Sequence, residues 1–233
     1  MAACDAWSEQ EMIGLIESKA MTSGDAARNR CLFALQCATG GRISELLSVR
    51  RRDVVDSLGR LEMQVTFTDT KNGESRTVAL VNPFPRPFLA AWLQRQEERG
   101  FCKGGQALFS TGSGRRLSRW QWYRLIKRAC AELRLRGHYG THSARKTWAR
   151  DTYRHYHQRQ MAGELVDPLV KLQEAGGWKT LEATRRYIAF MLGDTTEAQA
   201  DLYPELQQRY GSNSAQNYQT LRFGEKRSRG GIV

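Results

Sequence analysis

Residues 26 to 39 constrain the fold more than any other stretch of the chain. Within them Leu32, Phe33, Ala34, Leu35, Cys37 and Ala38 leave few polar positions, so a helix built from this segment must be covered on most sides. Gly40-Gly41 follows directly and supplies the residue type that closes a helix in a left-handed turn. Such a helix belongs at the centre of a core, with amphipathic elements packed around it. Ser8-Glu9-Gln10-Glu11 has the form of a capping box, and Met12, Ile13, Leu15, Ile16 and Ala20 follow at helical spacing until Thr22-Ser23-Gly24-Asp25 breaks the pattern. After the glycine pair, Ile43, Leu46 and Leu47 form an inward stripe on a short helix. Arg42 is therefore at a junction.

A change of period marks the next segment. Leu61, Met63, Val65 and Phe67 alternate with Glu62, Gln64, Thr66 and Thr68, which predicts a half-buried strand. Asn72-Gly73 is a hairpin turn signal and residues 75 to 81 return as the partner strand, so Lys71 falls at or beside the hairpin tip. Pro83, Pro85 and Pro87 lead into a helix carrying Phe88, Leu89, Trp92 and Leu93, closed by Gly100. Leu108-Phe109-Ser110 reads as a brief strand. A second capping box, Ser118-Arg119-Trp120-Gln121, opens a helix with Leu125, Ile126, Ala129, Cys130 and Leu133 inward. Thr141 is expected to cap the next helix, on which His142 and Arg145 share a face. Asp167-Pro168 starts another that ends at Gly176-Gly177. A short helix up to Tyr187 and a last one over residues 195 to 210, restarted at Pro204, complete the pattern. The fold class is α+β and mainly α: a helical domain over residues 1–210 with a small antiparallel hairpin at one edge. Residues 211–233 read as a flexible basic tail.

Charge narrows the partners. The 36 Lys and Arg outnumber the 24 Asp and Glu, a formal charge of +12, which favours a polyanion and makes nucleic acid the leading class. Arg115, Arg116, Arg119, Arg124, Lys127 and Arg128 cluster with few acids between them, a composition suited to tracking DNA phosphates. The five cysteines are odd in number and lack a C-x-x-C pair, so reduced thiols are expected rather than a disulfide framework or a cysteine zinc site. His138 and His142 are four apart but have no convincing third ligand, so no metal is expected. No apolar run could span a bilayer, and the first residues lack the order of a signal peptide. A cytoplasmic, DNA-associated protein is expected.

The chain offers Arg42, Lys71, His142, Arg145, Trp178 and Tyr187 in that order, each at or beside the end of an element. Together with Ala38-Thr39-Gly40-Gly41-Arg42-Ile43-Ser44-Glu45-Leu46-Leu47, His142-Ser143-Ala144-Arg145 and Gly177-Trp178, these residues resemble the catalytic domain of the tyrosine site-specific recombinases, the phage integrase family. The resemblance runs from about Ser8 to Leu192. It implies a site-specific recombinase that integrates, excises or inverts DNA through a covalent 3′-phosphotyrosine intermediate, with Tyr187 as nucleophile and no cofactor. Arg42 and Arg145 would fork onto the non-bridging phosphate oxygens, where charge develops. An unperturbed phenol is mostly protonated at neutral pH, so Tyr187 needs a base or cationic neighbours. His142 is either that base or a donor to phosphate. Lys71 would protonate the departing 5′ oxygen, Trp178 would donate one indole N–H, and Glu45 would buttress Arg42.

The resemblance also implies double-stranded DNA as partner, a tetramer on paired sites and a monomer without DNA. The family's N-terminal core-binding domain has no counterpart before Ser8, as expected of either an excised fragment or a short single-domain enzyme similar to the fimbrial DNA invertases. Residues 151 to 166 exceed the family's spacing by about ten residues. A type IB topoisomerase-like relaxing enzyme, or a non-catalytic DNA-binding regulator on the same scaffold, remain as alternatives.

Overall fold

A computed structural model of the chain describes residues 4–68, 75–101, 103–185, 187 and 202–210. It is mainly helical with one two-stranded antiparallel sheet, the expected α+β class. The predicted hub is present as α3 (Ala26–Thr39), after α1 (Glu9–Glu17) and α2 (Lys19–Thr22). Ten of its residues, from Asn29 through Thr39, are buried, including Leu32 and Phe33. Full burial of side chains of that size contributes about 1.5–3 kcal/mol each. Polar residues inside are paired: Gln36 donates to the Thr141 carbonyl at 2.8 Å and accepts from the Trp122 indole at 3.0 Å.

The capping boxes at Ser8 and Ser118 are both formed. The first helix is shorter than its apolar spacing predicts, because the Ser18 side chain accepts from the Met21 N–H and starts α2. Next come α4 (Ile43–Ser48), β1 (Gln64–Phe67), β2 (Arg76–Ala79) and α5 (Arg86–Glu98). The hairpin register pairs Val65 with Val78 and Phe67 with Arg76. Met63 departs from the predicted alternation: it precedes β1 and is 44% exposed. The expected strand at Leu108-Phe109-Ser110 is reduced to isolated bridges, Ala107 with Arg50 and Ser110 with Arg116.

α6 (Arg119–Glu132) and α7 (Ser143–Met161) carry the basic face and the His-x-x-Arg motif. In α6 Trp122 is fully buried, an inward position the sequence pattern missed, while Leu125 and Leu133 are only partly covered. Thr141 does not cap α7. His142 holds that position without a side-chain cap, and the Ser143 hydroxyl accepts from the Gly140 N–H at 3.1 Å. The long spacing after Arg145 is accounted for by the 19-residue length of α7 and the turn leading to α8 (Pro168–Gly176), whose Asp167 cap accepts from Leu169 and Val170. The last described elements are α9 (Leu181–Arg185) and α10 (Pro204–Tyr210). Lys71, residues 188–201 and the basic tail at 211–233 lie outside the described residues. No helix among the described residues is long and apolar enough to cross a membrane.

Candidate active site

Two chain reversals, at Gly40 and at Gly176-Gly177, converge on Arg145. Gly40 closes α3 at φ +60°, where a Cβ would stand 2.3 Å from the Trp148 ring. Gly177 closes α8 at φ +62°. A Cβ at Gly176 would lie 1.8 Å from the Trp178 ring. Only glycine permits both close approaches, and the carbonyls so exposed are used by Arg145.

Arg145 is fully buried. Its Nη1 donates to the Gly40 carbonyl and its Nη2 to the Gly176 carbonyl, both at 2.7 Å. The guanidinium lies 4.4 Å from the Trp178 ring centroid and 5.5 Å from that of Tyr187. The fork expected to grip phosphate is thus partly committed to main chain, while Nε has no acceptor among the described residues. Burial, followed by the charges of Arg76 and Arg42, pushes its pKa down.

Arg42 precedes α4 and pairs with Glu45. The carboxylate accepts from Arg42 Nη1 at 2.6 Å and from its backbone N–H at 2.8 Å. Glu45 is wholly buried, which alone would raise its pKa. The charge of Arg76, then the Arg42 N–H, Arg145 and the Arg42 side chain, bring it below the ordinary carboxylate value.

Arg76 is the residue that sequence reasoning missed. It opens β2 and donates to Glu45 Oε2 at 3.2 Å and to the Ala175 carbonyl at 3.0 Å. An arginine opening a strand carries no local signal of this role, because Ala175 is distant in sequence. Three guanidiniums thus surround one carboxylate, leaving a surplus of positive charge.

Trp178 and Tyr187 complete the cluster. Their ring centroids are 4.9 Å apart, and Tyr187 is half-buried in a turn after α9 rather than within it. The Trp178 indole N–H is buried without a partner among the described residues. His142 does not share the buried setting of Arg145. It is exposed at the start of α7, and its pKa is lowered by desolvation, then by Arg145, Arg119 and Arg42. Arg42, Arg145, Trp178, Tyr187 and His142 are therefore neighbours in one region, while the position of Lys71 lies outside the described residues.

Arg115, Arg116, Arg119, Arg124, Lys127 and Arg128 are all exposed. Among the described residues none of them forms an ion pair. Trp120, 64% exposed, stacks on Tyr123 at 5.4 Å within this face. No group of three metal-ligating side chains occurs among the described residues.

The model of the phage integrase family matches residues 8–191. The type 1 fimbriae regulatory protein FimE of Escherichia coli K12 is 38% identical over 109 residues, covering 46% of this chain and 51% of FimE. The chain thus spans about half the length of that curated relative. Among solved structures, the XerH site-specific recombinase in a post-cleavage complex with palindromic difH is 25% identical with a TM-score of 0.57, covering 79% of this chain and 49% of XerH. Lambda integrase (75–356) bound to a COC′ core site shares the fold at 17% identity and a TM-score of 0.56, covering 80% of this chain and 60% of that one. With the family model spanning most of its length and the Arg42, Arg145, Trp178 and Tyr187 motifs meeting in space, the chain belongs to the phage integrase family.

Proposed function

We propose that this chain is the catalytic domain, over residues 1–210, of a site-specific recombinase that cuts and rejoins duplex DNA through Tyr187. The observation that carries the reading is the pair of buried N–H donors beside that tyrosine with no acceptor among the described residues: Arg145 Nε and Trp178 Nε1. An unsatisfied buried donor costs about 1–3 kcal/mol, and two together among surplus guanidiniums suit a ligand rich in anionic oxygens. Duplex DNA as that ligand draws support from the DNA-bound XerH relative.

In the proposed reaction the Tyr187 Oη attacks phosphorus while Arg42, Arg145 and Trp178 stabilise charge on the non-bridging oxygens. The phenol proton passes to His142. The P–O5′ bond breaks, a 3′-phosphotyrosyl ester forms, and Lys71 delivers a proton to the 5′ oxygen. Attack by a second 5′-hydroxyl on the ester reverses these steps and rejoins the strand. The ester conserves the energy of the cleaved bond, so the exchange requires no nucleotide. The exposed α6 arginines hold the flanking backbone, and two paired sites assemble a tetramer from protein that is monomeric alone.

A pool of nicked duplexes with randomised sequence around the nick tests this, since loss of the fragment beyond the nick traps the ester. Wild type is expected to give a denaturation-resistant protein–DNA adduct and Tyr187→Phe none. An adduct that survives in the phenylalanine variant, or none from wild type, refutes the assignment. Size-exclusion of protein with the captured duplex would show a four-protomer complex, and a monomer throughout a productive reaction would refute the assembly.

A further inference from the structure

Arg76 and Arg145 run as two parallel ties between the same parts of the molecule. Arg145 joins the Gly40 carbonyl to the Gly176 carbonyl. Arg76 joins the Glu45 carboxylate to the adjacent Ala175 carbonyl. Its guanidinium lies 5.0 Å from the Phe67 ring centroid across the hairpin, and its side chain is only 10% exposed. The backbone turn at Gly177 passes so close that a Cβ there would stand 2.9 Å from Arg76 Cδ. The hairpin, the Arg42 helix and the turn bearing Trp178 therefore meet on one side chain.

Stability is a poor account of a guanidinium in this place. Burial lowers its pKa, Glu45 opposes that and Arg42 adds to it, and a buried ion pair can often be exchanged for apolar groups without loss. What an apolar group would not supply is direction: two acceptors on different elements, held by one planar fork. Arg42 depends on the same carboxylate, through both its side chain and its backbone N–H.

We infer that Arg76 is a positioning residue for strand cleavage, holding Glu45, and through it Arg42, at a fixed distance from the segment that carries Trp178. This rests on the proposed recombinase reading. Arg76 acts on the arginine that meets the phosphate, so its loss weakens stabilisation of developing charge and leaves duplex affinity nearly intact.

The test uses a duplex captured from the randomised pool and the same duplex with a methylphosphonate at the cleaved position, where a methyl replaces a charged non-bridging oxygen. Arg76→Met is expected to slow single-turnover adduct formation by up to about 100-fold on the phosphate, as misplacement of a reacting group does. The duplex Kd should change by no more than about twofold, the signature of an effect confined to the transition state. On the methylphosphonate the deficit should shrink, because less negative charge awaits Arg42. Arg76→Lys keeps the charge but cannot span both acceptors and should recover only part of the rate. It also serves if the methionine variant fails to fold.

A normal rate in either variant, full recovery by lysine, or a deficit equal on both substrates overturns the inference while the recombinase reading stands. Failure of wild type to form any adduct overturns that reading and this inference with it.

Discussion

His142 and Arg145 stand three positions apart and meet opposite surroundings. Arg145 is sealed between two carbonyls, whereas His142 is exposed and its proton affinity is lowered by desolvation and by Arg145, Arg119 and Arg42. A histidine whose folded pKa lies below the ordinary 6.5 is neutral at pH 7, the form a proton acceptor needs. Protonation is then disfavoured in the folded state, so stability and activity attributable to this group are complete above 6.5 and decline as pH falls through the lowered value. The pH–rate profile for adduct formation should be flat above 6.5 with an acidic fall below it. His142→Asn should remove that fall and run about 100-fold slower or more. A rate that climbs with acidity would make His142 a donor instead. Arg42, Glu45, Arg145 and Trp178 were legible because short motifs announce them. Arg76 was not, since nothing near it in the chain distinguishes a tie from an ordinary strand residue.

Elements were legible where local chemistry decides their ends. Ser8, Ser118 and Asp167 all cap as their sequence forms require. The pattern failed where tertiary contacts decide: Trp122 turns inward to reach Gln36. The return of the chain at α10 was also outside local reach. It docks on its own body, with the Tyr203 hydroxyl donating to the Cys37 carbonyl at 3.1 Å and Asn82 Nδ2 to the Leu202 carbonyl at 2.9 Å. Within this chain residues 202–210 lie against α1, the α3 terminus and the start of α5. Burial, then Asp151 and Cys37, hold the Tyr203 hydroxyl well above its ordinary pKa, keeping it a donor. Tyr203→Phe should destabilise the fold by about 1 kcal/mol through that bond, read from urea unfolding at unchanged m-value. An unchanged midpoint would mean the hydroxyl contributes nothing to the dock.

At the scale of the molecule, charge is divided between two regions. The inner arginines are buried or half-buried around Glu45, while the α6 cations face solvent without ion pairs among the described residues. Counterion release assigns them different measurable effects. Replacing Arg124 and Arg128 together by alanine should reduce the log K against log salt slope for duplex binding by roughly 2, leaving the fold unchanged. An unaltered slope would remove α6 from the DNA interface. The sealed tie at Arg145 bears on how such a scaffold can be retargeted. It fastens the ends of α3 and α8 to α7 by one planar group, and lysine has a single nitrogen with which to replace two anchors. Any remodelling of one of these three segments must be matched by the other two, so libraries seeking new DNA preferences belong on the outward side of α6, where sequence can drift without unlatching the chemistry.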